Sequence, residues 1–239
     1  MNKMKIEIWS DIACPFCYIG KRKLEMALDK FEHKDKVELI WHSYQLDPSL
    51  PKKDLGVSIY EYMAKYLNVS IEEAKAKQKG LADIAKTVNL NYDFDKLVVT
   101  NTGDALRLAK LAAESGVATE AEEAIFEAYF VDGKNISDRS TLIQLGEKVG
   151  LKKADIEAML DSEKYYDQIK QDLKYANEEL KLEFIPYYRL NNNQTIQGSI
   201  EVDDYLKALN QAFADWESGK ASDSDVITGQ SCSIDGVCS

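Results

Sequence analysis

The chain has 239 residues, 45% of them apolar, with 13 Tyr, 7 Phe and 3 Trp, enough for one or two compact domains with a sizeable core. Its 30 basic and 41 acidic side chains leave a net charge of −11, which repels phosphate backbones and anionic lipid and argues against nucleic-acid and membrane partners. No apolar run approaches the roughly 20 residues that a membrane-spanning helix needs.

Met1 to Lys5 carries the positive charge of a signal peptide's first segment, but Ile6-Glu7-Ile8-Trp9-Ser10-Asp11 alternates and turns acidic. A signal peptide needs about 7–15 continuous apolar residues there. Lys5 to Ser10 therefore reads as a first strand, and the expected location is cytoplasmic. A helical pattern follows Cys17, with Ile19, Leu24, Ala27, Leu28 and Phe31 near helical spacing. Val37 to Leu46 is apolar on both faces, the mark of a central buried strand.

From Ser58 to about Leu182 the pattern is almost wholly helical. Ser58 with Glu61, Ser70 with Glu73 and Thr119 with Glu122 each have capping-box spacing. Beyond Pro186, Tyr187 to Leu190 and Thr195 to Gln197 flank Asn191-Asn192-Asn193, a hairpin turn signal because Asn tolerates positive φ. A last helix runs from about Ile200 to Trp216. The Ser-, Gly- and Asp-rich tail after it is expected to be flexible. Neither sheet fragment can bury itself alone. The predicted organisation is α/β, with residues 1–57 and 183–216 forming one domain, 58–182 a helical insertion, and 217–239 a tail bearing a cysteine pair.

Four cysteines are too few for a disulfide scaffold at this length, and they fall at the two ends of the chain. Cys14 and Cys17 stand between a strand and a helix, where two sulfurs can bond across one helical turn. The helix N-terminus favours an anion at the first thiol. Cys14 is thus the expected exposed, attacking thiol and Cys17 the resolving one. Pro15 supplies no N–H, and Phe16 offers substrate an apolar contact without a positive charge, which argues against a strongly oxidising pair. Read as half of a zinc knuckle, the pair would need Cys232 and Cys238 as the other half. Their gap is wider than the usual spacing, and no metal site is assigned. Asp235-Gly236 is a turn signal that would bring Cys232 and Cys238 within bonding reach, making them a candidate auxiliary redox pair for Cys14 and Cys17. On the residues alone, Pro186 could equally be an ordinary trans residue at a strand start.

With this strand, Cys14-Pro15-Phe16-Cys17, the helical block and Ile185-Pro186, the chain resembles the DsbA family of thioredoxin-fold oxidoreductases. Within it, the likeness is to the FrnE-like branch, related to the 2-hydroxychromene-2-carboxylate isomerases. Trp41 to Pro48, Asn101 to Leu108 and Phe126 to Phe130 with Ile136-Ser137-Asp138 add local matches over about residues 4 to 216. The resemblance implies a thioredoxin fold with a large helical insertion and a cis peptide before Pro186. It also implies docking of an extended chain or glutathione along Ile185. Two departures stand out: Phe184-Ile185-Pro186-Tyr187-Tyr188 replaces the common Gly-Val-Pro-Phe-Phe, and Leu106 stands where the family often has His.

The reaction expected is thiol–disulfide exchange with disulfide- or dithiol-containing proteins or small thiols, with no cofactor beyond a co-substrate such as glutathione. A glutathione-dependent isomerase or transferase, and a non-enzymatic zinc–thiolate protein, are the rival readings. His42 reads as a hydrogen-bonded sheet residue, and Tyr60, Tyr62, Tyr66, Tyr165 and Tyr166 as core aromatics. Asn101 and Arg107 either line a cleft above Cys14 or, for Arg107, form a surface ion pair.

Overall fold

The alternation read at the N-terminus gives β1 (Met4–Ser10), followed by α1 (Pro15–Lys30) and β2 (Val37–Ser43) in a computed structural model that describes residues 3–192, 194–219, 226–233 and 238. Met4, Ile6 and Ile8 line one fully buried face of β1. On the other face Trp9 stacks on His42, with ring centroids 4.4 Å apart. Burial on both faces is what places β1 centrally.

The helices of the middle segment are α2 (Ile59–Leu67), α3 (Ile71–Lys86), α4 (Gly103–Glu114), α5 (Ala118–Phe130), α6 (Arg139–Lys148) and α7 (Lys153–Leu160), with α8 (Tyr166–Glu178) after them. Ser58 and Ser70 each accept from the backbone N–H three residues on, while Glu61 and Glu73 bond back, completing both expected capping boxes. The third box does not form. The Val117 N–H still bonds to the Ala112 carbonyl behind Gly116, so Val117 must serve as the N-cap of α5 and Thr119 falls inside the helix.

The chain then returns to strands: β3 (Phe184–Ile185), β4 (Tyr187–Leu190) and β5 (Gln194–Gln197). Helix α9 (Val202–Ser218) and two short strands, β6 (Val226–Thr228) and β7 (Cys232–Ser233), follow. The main sheet runs β2-β1-β4-β5-β6. The β1–β2 and β5–β6 pairs are parallel, and the β1–β4 and β4–β5 pairs antiparallel. Asn191 and Asn192 adopt positive φ as the hairpin requires; Asn193 lies outside the described residues. Helix α9 packs on α1 through a Phe31–Phe213 edge contact and a Lys23–Glu201 ion pair of 2.6 Å.

Two compact units result: Met1–Tyr44 with Asp172–Ser239, and Gln45–Gln171. These bounds differ from the expected 57/58 and 182/183. Residues after Tyr44 belong with the helices because Asn101 Nδ2 donates to the Pro48 and Leu50 carbonyls, and the Leu55 N–H bonds to the Val99 carbonyl. The end of α8 belongs with the sheet because Asp172 accepts from the Ser43 N–H at 2.8 Å and faces His42 at 2.9 Å. The tail also departs from expectation. Residues 226–228 extend the sheet and 232–233 pair with β3, whereas Asp235 and Gly236 lie outside the described residues.

Candidate active site

The site begins where β1 ends. A turn closed by the Cys14 N–H on the Asp11 carbonyl (3.1 Å) delivers Cys14 to the N-cap of α1, with Pro15 at the first helical position. Proline fits there because that N–H has no helical acceptor and its fixed φ is already helical. Cys17 follows one turn in, and both thiols are free. Burial, and then the neighbouring Cys14, push the Cys17 thiol well above its ordinary value. The Ser10 hydroxyl and the Asp11 backbone N–H beside it offset this in part. Cys17 is thereby held as the neutral thiol at neutral pH.

Cys14 is fully buried, not exposed as expected, and its Sγ lies 3.8 Å from the Ile185 carbonyl. The Ile185–Pro186 bond is cis. Ile185 pairs with Cys232 in an antiparallel register, and Cys232 is itself fully buried and bonded to Cys238. The burial of Cys14 thus accompanies a tail strand laid along β3. Pro15 and Phe16 are buried too, so neither forms an open contact surface in this conformation.

Gly20, one turn beyond Cys17, leaves room for three groups. A Cβ there would stand 2.3 Å from the Tyr188 hydroxyl, 3.2 Å from Pro186 Cγ and 3.4 Å from the Tyr205 hydroxyl. The Tyr188 and Tyr205 rings meet edge-on, both are fully buried, and burial raises both phenols above their ordinary values. Sequence reasoning missed this packing behind the dithiol. The available signal was a glycine one turn after Cys17 and a tyrosine two residues after Pro186.

The remaining candidates are each engaged within their own unit. His42 faces Asp172 and Glu7 (3.2 Å) from its two ring nitrogens, as a hydrogen-bonded sheet residue. Arg107 is neither a cleft group nor a surface ion pair. It is buried, its Nε donates to the Lys164 carbonyl and its Nη1 to Asp104, each at 2.8 Å, and its Nη2 reaches the Met159 and Ser162 carbonyls. Tyr166 stacks on that guanidinium at 4.2 Å. Asn101 is spent on its own loop, accepting from Gln45 and the Gly103 N–H. Tyr62 and Tyr66 are not core. With Leu55 and Val57 they line a cavity of about 520 Å³, and the Tyr62 hydroxyl donates to Asp47 at 3.0 Å.

The family model described as the DSBA-like thioredoxin domain matches residues 5–210. The chain belongs to that family. DSBA-like proteins are thiol oxidoreductases and isomerases, and the fold here is the family's thioredoxin fold with a helical insertion. The chain is similar to a probable DsbA oxidoreductase from Streptomyces coelicolor at 30% identity, covering 99% of this chain and 98% of that one, with a TM-score of 0.83. It is 28% identical over 205 residues to the uncharacterized protein YwbO of Bacillus subtilis, covering 85% of this chain and 94% of that one. The cytosolic disulfide reductase DsbM of Pseudomonas aeruginosa shares the fold, with a TM-score of 0.58 at 18% identity over 90% of this chain and 98% of that one. Among the described residues of this DSBA-like chain, no helix is long and apolar enough to cross a membrane.

Proposed function

We propose that the protein is a thiol–disulfide oxidoreductase in which Cys14 attacks and Cys17 resolves. The observation that carries this reading is the reduced pair spanning the first turn of α1, with Cys14 Sγ 3.8 Å from the Ile185 carbonyl. Cys14 thiolate attacks one sulfur of a substrate disulfide, and the other leaves as a thiolate and takes up a proton. Cys17 then loses its proton and attacks Cys14 Sγ. The second substrate thiol is released and a Cys14–Cys17 disulfide remains. The raised Cys17 thiol suits this order, since it stays protonated until a mixed disulfide stands one turn away.

In this reading Ile185 and Pro186 form the docking edge for substrate, and Pro15 and Phe16 shape its floor. Proteins with disulfides or dithiols, or small thiols, are the substrates, glutathione is the natural co-substrate in a cytoplasmic setting, and the chain falls in the FrnE-like branch. Cys232–Cys238, bonded to each other, is the auxiliary redox pair.

The test is insulin reduction and dithiol oxidation by the wild type, Cys14→Ser and Cys17→Ser. Cys14→Ser should abolish both activities, and Cys17→Ser should accumulate mixed disulfide. Full activity of Cys14→Ser sinks the proposal. Glutathione-dependent turnover that survives Cys17→Ser would point instead to an isomerase or transferase.

A further inference from the structure

The backbone of Ile185 already has a strand beside it. In the β3–β7 pair Phe184 faces Ser233 and Ile185 faces Cys232, antiparallel and in register. One edge admits one partner strand at a time, because a second strand cannot enter the ladder position that the first fills. The same Ile185 carbonyl lies 3.8 Å from the Cys14 sulfur. The residue placed opposite it is a cysteine, fully buried and in disulfide linkage.

The approach of this segment is built into the sheet. Val226, Ile227 and Thr228 pair with Thr195, Ile196 and Gln197, and Ser199 and Gln230 exchange backbone hydrogen bonds of 2.6 and 3.0 Å. Gly198, at φ +85°, passes so close to the Gly229 carbonyl that a Cβ would lie 2.5 Å from its oxygen. A side chain at Gly198 would therefore both strain the backbone and push the segment off its track. By contrast β7 is two residues long, a length that gives little stability by itself. Its anchor is firm up to Gln230 and short beyond it.

We infer that the segment around Cys232 occupies this protein's own polypeptide-docking edge, so that the oxidised tail excludes extended, cysteine-bearing chains and its reduction admits them. This rests on the reading of Cys14 and Cys17 as the exchanging pair. Cys14 thiolate attacks Cys232 Sγ; the Cys232–Cys238 bond breaks, and Cys238 leaves as a thiolate that takes up the proton given up by Cys14. Cys17 loses its proton and attacks Cys14 Sγ, and Cys232 leaves and is protonated in turn. Two electrons have passed from the Cys14–Cys17 dithiol to the tail, which now holds two thiols. A small-molecule thiol, two equivalents of which become its disulfide, then reduces Cys14–Cys17 and leaves the site open. The edge selects a substrate in an extended conformation with its reactive cysteine opposite Ile185, as Cys232 is.

The probe is a short linear peptide whose single cysteine is joined to a chromogenic aromatic thiol, together with the same peptide N-methylated at that cysteine's amide. Single-turnover rates with the reduced Cys14–Cys17 pair are compared for three proteins: the wild type with its tail oxidised, the full chain carrying Cys232→Ser and Cys238→Ser, and a chain ending at Gln230. The shortened chain should react with the peptide at least about 10-fold faster than the wild type, and the N-methylated peptide should lose most of that gain. The double serine variant, which keeps the whole chain, should move in the same direction. An unchanged rate in the shortened chain, or an equal gain for the N-methylated peptide, overturns occupation of the edge. A double serine rate equal to that of the wild type overturns the redox control. If Cys14→Ser in the shortened chain reacts as fast as its parent, it is the underlying dithiol reading that fails.

Discussion

Gly20→Ala tests whether the dithiol helix is seated directly on Tyr188. An added methyl would lie 2.3 Å from the Tyr188 hydroxyl, against an ordinary carbon contact of about 3.5 Å, so something must move by about 1 Å. Tyr188 is fully buried in β4 and carries its hydroxyl at the rigid end of the ring, so it cannot swing aside. Overpacking of this kind costs about 1–3 kcal/mol, while replacing a mid-helix glycine by alanine returns about 0.5–1 kcal/mol. The clash outweighs the propensity, and Gly20→Ala should be less stable by about 1–2 kcal/mol. Tyr188→Phe removes the clashing atom. Its hydroxyl makes no well-formed hydrogen bond, so that variant should stay within about 1 kcal/mol of wild type. In the double variant the clash is gone and the helix gain remains. Gly20→Ala with Tyr188→Phe should therefore recover wild-type stability or exceed it, a coupling of about 1–3 kcal/mol. Urea unfolding of the reduced proteins measures the stabilities, and the alkylation rate of Cys14 reports the seating of α1. A Gly20→Ala protein as stable as wild type, or a double variant no better than that single one, refutes the reasoning.

Two further outcomes follow from buried groups. Arg107→Lys keeps the charge but cannot reach four acceptors with one ammonium, so it should lower the stability of the helical unit by about 3 kcal/mol, read by thermal unfolding. Disulfide exchange per folded molecule should be unchanged, and loss of exchange without loss of stability would return Arg107 to the chemistry. The raised Cys17 thiol makes the reduced protein sensitive to alkali. Above the ordinary thiol value of 9.0 the unfolded chain releases that proton and the native one retains it. The contribution is thus complete below pH 9 and falls with rising pH by up to about 1.4 kcal/mol per unit. Over pH 9 to 10.5, reduced wild type should lose stability more steeply than Cys17→Ala, and parallel slopes would contradict the burial of that thiol as its cause.

The dithiol, its place at a helix start and the capping boxes at Ser58 and Ser70 were all legible in the sequence, because each is an interaction among residues within one helical turn. Thr119 shows the limit even there. Its box spacing is intact, but the tight exit from α4 moves the helix start upstream. In the sequence Arg107 reads equally as a cleft group or a surface ion pair, since the carbonyls that hold it belong to the last turn of α7 and the loop after it, more than 50 residues away in sequence.

What the sequence determined by itself was the chemistry at hand: two thiols one turn apart where a helix dipole favours the first, and two more near the other end of the chain. The tertiary structure decided how they meet. It set Ile185 against Cys14, Cys232 against Ile185, and Gly20 against Tyr188. Strand register and close packing depend on which distant backbones come together, and no local pattern of residues encodes that pairing.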